Sequence, residues 1–134
     1  MARLHFGCFN CPRDGWVNTD VTPHLRVARV PGLAWLLHKT RRMTDERYRE
    51  HRRGVFRRVN YLNVTRRWPY STNSFEAIFS SHVLEHLPLH GARICAGESY
   101  RCLRPGGVLR LSVPDLDAHI REFAPAREIG RAHV

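Results

Sequence analysis

Five short apolar runs recur along this 134-residue chain, and they constrain its fold more than any other feature. Most of them are followed at once by glycine, proline or polar residues, a pattern typical of buried strands. The predicted strands are 4–6, 16–21, 59–63, 75–80 and 108–113. Because helix-like segments separate most of these runs, the sequence predicts an α/β fold built on a parallel sheet.

The segments between the strands predict helices of different character. Residues 25–38 predict two short helical pieces around a Pro-Gly break, and the charged residues 41–58 predict a solvent-exposed helix. A longer helix is predicted over 89–103, and the Pro-Gly-Gly run at 105–107 is expected to stop it. A last helical segment is predicted over 116–123. The apolar stripe of the longer helix is predicted to comprise Leu89, Ala92, Ala96, Ser99 and Leu103.

The positive charge of the chain is concentrated in one segment. Residues 26–67 hold 13 of the 22 basic and 3 of the 12 acidic residues, so they account for the whole net charge of +10. Such a segment could contact nucleic acid, an acidic glycan or a phosphate-bearing substrate. The alternative interpretation is a solvated helical face, which is the commoner meaning of a charge run.

Glycine, acidic, amide and hydroxyl residues follow the ends of the first four predicted strands. In an open parallel sheet these ends share one edge, where ligands bind. Glycine allows close backbone approach, a carboxylate can accept hydrogen bonds from a ribose diol, and an amide can pair with a base edge. The pattern therefore favours a nucleoside ligand. The residues are Gly7, Cys8, Phe9 and Asn10, then Asp20, then Asn63 and Val64, then Ser80, Ser81 and His82.

Three runs of sequence resemble one known family: LHFGC…GWVNTDVTP, SFEAIFSSHVLEHL and ESYRCLRPGGVLRLSVPD. They resemble small S-adenosylmethionine-dependent methyltransferases of the type-11 group, and the likeness extends from residue 4 to 117. The resemblance implies a Rossmann-like, class I methyltransferase fold and S-adenosylmethionine as cofactor. It also implies a cofactor pocket. The implied lining is Gly7, Cys8 and Phe9 at the first turn, Asp20 and Val21 at the ribose, Asn63 and Val64 at the adenine, and Ser80, Ser81 and His82 near the methionine end.

The sequence departs from this family at three places. Phe9 stands where the family usually has glycine, and its ring is expected to crowd a close approach of backbone to cofactor. Asn63 replaces a common aspartate and loses its charge. Gly97 lies inside a predicted helix, at a cost of about 1 kcal/mol relative to alanine. The link between the first two strands is shorter than a parallel crossover usually requires, and the family shares this short link.

Two histidines are the candidate catalytic residues. His82 or His86 could act as general base on an acceptor hydroxyl, although a purely structural role is the stronger interpretation because many methyltransferases work by positioning. The run from His82 to His86 also fits the H-x-x-E-H pattern of inverted zinc peptidases. That chemistry needs both histidines on one helix, and a motif that directly follows a strand disfavours it. No metal site is predicted.

The cysteines and tryptophans have simpler interpretations. Cys95 and Cys102 predict buried free thiols on the long helix, while the backbone of Cys8 is expected to matter more than its sulfur. The tryptophans are interpreted as packing anchors rather than platforms for stacking bases. They are Trp16, Trp35 and Trp68.

The leading function is methyl transfer to an unidentified acceptor, either a small molecule or a glycan. The alternatives are a catalytically inactive Rossmann-like binding module and a nucleic-acid-binding protein acting through residues 26–67. The sequence has no apolar run of membrane-spanning length and no signal-peptide pattern, so a cytoplasmic protein without membrane contact is expected.

The domain boundary is set by the last seven residues, which look foreign to the rest of the chain. Residues 1–127 are predicted to be a partial methyltransferase domain with a basic helical insert at 24–58. Residues 128–134 can be encoded by a common sequencing adapter and are predicted to be a non-native tail. The methyltransferase fold needs two further strands, so C-terminal truncation, with loss of activity as one consequence, is expected.

Overall fold

A computed structural model describes residues 2–115, 117 and 118 of the chain. Five strands form one all-parallel sheet in the order β3-β2-β1-β4-β5. This confirms the predicted Rossmann-like α/β fold. The strands are β1 (Ala2–Phe6), β2 (Val17–Asp20), β3 (Val59–Tyr61), β4 (Phe75–Ser81) and β5 (Leu103–Ser112).

Four α-helices and two 3₁₀ turns connect the strands. The two short pieces predicted over 25–38 are confirmed, and they lie before a third helix whose three arginines are balanced by three acidic residues. Among the described residues, no helix has the length and apolar character needed to cross a bilayer. The helices are α1 (His24–Arg29), α2 (Leu33–Lys39), α3 (Asp45–Arg52) and α4 (Leu89–Cys102), and the 3₁₀ turns are Val55–Arg58 and Leu84–His86.

Hydrophobic clusters pack on both faces of the sheet. Leu4 and Phe6 of β1 point to one face, where they pack with Ile78 and Trp68. The rings of Phe6 and Trp68 meet edge-on, with their centroids 5.5 Å apart. His5 points to the opposite face, as does Val59 by the strand register. Val59 belongs to a second cluster with Cys8, Leu25 and Phe56, which fixes α1 and the turn Val55–Arg58 against the sheet.

The short link between β1 and β2 is held by the buried side chain of Asn18. Residues 7–16 contain no helix. The Asn18 amide accepts a hydrogen bond from the backbone N–H of Arg13 and donates to the carbonyls of Arg13 and Trp16. Because one side chain closes this loop onto β2, the crossover does not need the helix that parallel connections usually contain.

Two sequence predictions about the helices were wrong. Residues 41–58 do not form one exposed helix, because Phe56 is buried in the second cluster and the chain bends into the turn Val55–Arg58 to place it there. The predicted stripe of the long helix is displaced, since Leu89 is 69% exposed and Ser99 is the one predicted member that is buried. The buried face of α4 is Gly91, Cys95, Ser99 and Cys102, which includes the two free thiols predicted to be buried.

The fifth strand is longer than predicted. It begins at Leu103, and the Pro-Gly-Gly run lies within it as a bulge, because Phe75 pairs with Leu103 whereas Ala77 pairs with Val108. The helix therefore ends at Cys102, before the proline. The tail predicted over 128–134 lies outside the described residues, as does the 116–123 helix except for residues 117 and 118.

Candidate functional site

A cleft of about 480 Å³ opens at the carboxyl ends of β1, β2, β3 and β4. Eight of the residues singled out in the sequence line it: Gly7, Phe9, Asp20, Val21, Asn63, Val64, His82 and His86. Five further residues complete the lining, namely Tyr61, Leu62, Thr65, Val83 and Leu87. The strand ends thus meet at one edge, as parallel pairing requires.

Three of the predicted cofactor residues lie behind this lining. Cys8 is buried in the second cluster, where burial first and the neighbouring Asp20 carboxylate second raise the pKa of its thiol to about 12. A thiol with that pKa stays protonated at neutral pH and is a poor nucleophile. Ser80 is buried at the end of β4 with its hydroxyl unpartnered among the described residues, and Ser81 is half-buried beside it.

Asp20 organises the backbone on one side of the cleft. Its Oδ1 accepts hydrogen bonds from the N–H groups of Val21 and Thr22, both at 2.8 Å. Its Oδ2 accepts one from the N–H of Phe9 at 2.9 Å, which ties the turn after β1 to the end of β2. A carboxylate has about four acceptor positions, so one on Oδ2 is left for a ligand hydroxyl.

The turn after β1 approaches the segment after β4 very closely. Gly7 has φ +68°, and a Cβ built on it would lie 2.1 Å from Cγ2 of Val83. Only glycine meets both conditions, because other residues rarely adopt this φ and their Cβ would clash. His82 also has a positive φ, +56°, and its N–H donates to the carbonyl of Ser112 at the end of β5. The floor of the cleft is thereby fixed by backbone.

Phe9 turns its ring partly away from the cleft. The ring meets that of Phe56 edge-on at 6.0 Å, and the guanidinium of Arg47 lies 4.6 Å above its centre. Next to it, the Asn10 amide donates to Glu50, which is also paired with Arg47. Helix α3 is therefore joined to the turn that forms one wall of the cleft.

Asn63 forms a turn that shapes the opposite wall. Its Oδ1 accepts hydrogen bonds from both the N–H and the hydroxyl of Thr65, so its amide N–H₂ is the group left to contact a ligand. The chain beyond it is held to α4 by Glu98, which accepts from the N–H of Trp68 and from Arg101. The Arg101 hydrogen bond lowers the pKa of Glu98 to about 2.

The candidate catalytic histidines lie at the rim. The His82 side chain is 61% exposed, and its Nδ1 is 3.3 Å from a carboxylate oxygen of Glu85. His86 ends the 3₁₀ turn, whereas His82 precedes it, so the two do not share an α-helix. Within the part of the chain that the structure describes, no group of three histidine, cysteine or acidic side chains could hold a metal ion.

The five lining residues that sequence analysis missed have local causes. The third strand ends at Tyr61 rather than at residue 63, which moves Tyr61 and Leu62 into the cleft. Thr65 lies two residues after Asn63, whose side chain accepts a hydrogen bond from the Thr65 N–H. Asparagine commonly forms such turns, so the sequence could have indicated Thr65. Val83 and Leu87 follow the fourth strand, where the predicted lining ended at His82.

This sheet order, with a cleft at the carboxyl ends of the strands, is that of a Rossmann-like α/β fold. The family model described as "Methyltransferase domain", type 11, matches residues 38–111, more than half of the chain, and the chain belongs to this family. The match includes the cleft walls at 61–65 and 82–87 and begins after Gly7 and Asp20.

Comparison with solved structures gives a more distant likeness. The chain is similar to the [4+2]-cyclase SpnF, with a TM-score of 0.43 and 21% identity, over 81% of this chain and 36% of that one. The chain thus spans about a third of the length of that protein. No curated protein matches the chain.

Proposed function

We propose that this chain binds S-adenosylmethionine in the cleft and serves methyl transfer to a small-molecule or glycan acceptor. The observation that carries the proposal is the position of Asp20, a carboxylate with one acceptor position left at the carboxyl end of β2. A ribose hydroxyl is the donor that dinucleotide sites place at this position. Family membership supports the same cofactor.

The remaining lining suits the other parts of this cofactor. Val21 and Tyr61 are more than half exposed beside Asp20, and they offer apolar surface to a planar base. The Asn63 amide can donate to a ring nitrogen of that base. The Gly7 turn and Val83 would bound the amino-acid end. Each group of the cofactor therefore meets a residue of fitting chemistry.

The protein's task in the reaction would be alignment. The cofactor supplies a methyl group already activated by its sulfonium, so the protein has to hold the acceptor in line and exclude water. His82 and His86 lie at the rim, where an imidazole can accept the proton of an acceptor hydroxyl. Glu85 beside His82 can orient that ring.

Calorimetric titration with S-adenosylhomocysteine tests the cofactor site. Wild-type protein is expected to bind saturably, and Asp20→Ala to lose at least about tenfold in affinity through the missing acceptor. Asp14→Ala is the matched control, because it removes an aspartate that pairs with Arg58 and does not line the cleft. Circular dichroism of all three proteins checks that each is folded.

The outcomes separate the remaining possibilities. Binding that Asp20→Ala loses and Asp14→Ala keeps supports the site. Binding without methyl transfer to any acceptor favours the alternative of a catalytically inactive binding module. No binding by a folded wild-type chain would overturn the proposal for this chain.

A further inference from the structure

Three arginines on the outer face and at the C-terminal end of α3 form no salt bridge with any acidic side chain of the described residues. Arg49, Arg52 and Arg53 line a shallow cavity of about 270 Å³ and take part in no salt bridge. The inner face differs, because there Arg47 pairs with Glu50 and contacts Phe9. Like charges three or four residues apart destabilise a helix, so this face would be stabilised by an external anion.

An aromatic groove adjoins these arginines. Trp35 and Tyr48 line a groove of about 230 Å³ together with Arg52 and Arg57. Trp35 is 55% exposed, which corrects its interpretation as a packing anchor, whereas Trp68 is buried. Since Arg52 lines both the groove and the arginine cavity, the two form one continuous surface, here called the arginine–tryptophan face.

We propose that the arginine–tryptophan face binds single-stranded nucleic acid. Such a strand presents phosphates to arginine and bases to an exposed indole, and both groups are present side by side here. Twelve of the 13 basic residues in 26–67 are arginine, whose planar fork suits phosphate and stacking better than lysine does. No residue of this face lines the cleft, so the proposal does not depend on the cofactor.

The position of Trp35 beside arginines favours this ligand over an anionic membrane. Trp35 lines the same groove as Arg52 and Arg57, so a base stacked on the indole would bring the phosphates of its strand close to these guanidinium groups. A sugar polyanion such as heparin would use the arginines but has no base to stack on the indole. The contribution of Trp35 therefore distinguishes the proposed ligand from both competitors.

Fluorescence anisotropy with labelled RNA and DNA single strands of about 12 nucleotides tests the proposal, since one binding domain covers roughly 4–16 nucleotides. Arg49→Gln/Arg52→Gln is expected to weaken binding about tenfold and to flatten the dependence of log K on log salt by about 1.4, two phosphate contacts at about 0.7 each. The matched control is Arg93→Gln/Arg110→Gln, which removes two exposed arginines elsewhere and is expected to bind as wild type.

Trp35 supplies the second arm of the experiment. Trp35→Ala is expected to weaken binding about tenfold, Trp35→Phe to restore most of it, and neither to change heparin binding. A preference for RNA or DNA would identify the strand and would support the proposal either way. Equal binding by wild type and Trp35→Ala would overturn it in favour of a general polyanion surface. Binding to phosphatidylserine vesicles without oligonucleotide binding, or no binding at all, would also overturn it.

Discussion

At the residue scale, Gly7 is the position where the sequence has least freedom. Its φ of +68° and the 2.1 Å approach of Val83 Cγ2 both exclude a side chain. Gly7→Ala is expected to lower the free energy of unfolding by at least about 2 kcal/mol, from backbone strain and the clash together. Urea denaturation of Gly7→Ala, Val83→Ala and Gly7→Ala/Val83→Ala measures the coupling between the two positions. Because truncation of Val83 relieves the clash, it is expected to lower the free energy of unfolding less in the Gly7→Ala protein than in wild type. Purely additive effects would contradict the clash.

Phe9 combines strain with packing. It has φ +44°, and its ring contacts Phe56 and Arg47. Phe9→Ala removes the ring and keeps the backbone strain, whereas Phe9→Gly removes both. The free energy of unfolding of Phe9→Gly is therefore expected to exceed that of Phe9→Ala by about 1 kcal/mol. Phe9→Gly is also expected to bind S-adenosylhomocysteine more tightly than wild type. Thermal unfolding and calorimetry measure the two effects, and an affinity no higher than that of wild type would show that the loop has adapted to the ring.

At the scale of elements, the two glycines of α4 make opposite predictions. A Cβ on Gly97 would meet nothing within 4 Å, whereas a Cβ on Gly91 would lie 2.8 Å from Cγ2 of Thr65. Gly97→Ala is therefore expected to raise the free energy of unfolding by about 0.5–1 kcal/mol through helix propensity. Gly91→Ala is expected to give no such gain, because Thr65 would have to move. Urea denaturation compares them, and equal stabilisation by both substitutions would refute the steric argument.

Strands were easier to predict than helix faces. The run 75–80 is apolar except for Glu76 and Ser80, so its place in a buried sheet is visible in the sequence. The buried face of α4 consists of glycine, cysteine and serine, so a stripe defined by leucine and alanine lies beside this face and shares only Ser99 with it. The inner face of α3 is polar, because Glu50 and His51 bond to Asn10 and His24 of other elements. Only tertiary contacts reveal such a face.

At the scale of the whole molecule, the sequence indicated a parallel Rossmann-like sheet but not the order of its strands. Short apolar runs predict strands without identifying the neighbours of each strand, and the order β3-β2-β1-β4-β5 is defined by the pairing in the structure. The edge that holds the cleft could be foreseen, because parallel strands share their carboxyl ends. The hydrogen bonds that these side chains make within the protein could not be foreseen. Asp20 accepts from three backbone N–H groups, and Asn63 accepts from the N–H and the hydroxyl of Thr65.

Three histidines link the stability of the whole domain to pH. Burial is the main cause that lowers the pKa of His5 in β1, and Arg13 lowers it further. Burial likewise lowers the pKa of His24 and His51, whose rings are joined by a 3.0 Å hydrogen bond. Arg47 and Glu50 face His24 with opposite effects, and Glu50 also faces His51. The folded protein therefore binds fewer protons than the unfolded chain below the ordinary histidine pKa of 6.5.

The direction in which stability changes with pH follows from proton linkage. Stability is fully present above pH 6.5 and falls as the pH decreases toward the lowered pKa values of the folded state. Carboxylates with lowered pKa, such as Glu50 and Glu98, lose their contribution only below their ordinary value of 4.5. Urea denaturation between about pH 8 and about pH 5.5 thus isolates the histidines. His51→Gln is expected to reduce the pH dependence and the exposed His90→Gln to preserve it, and an unchanged slope in His51→Gln would show that this pair does not couple protons to folding.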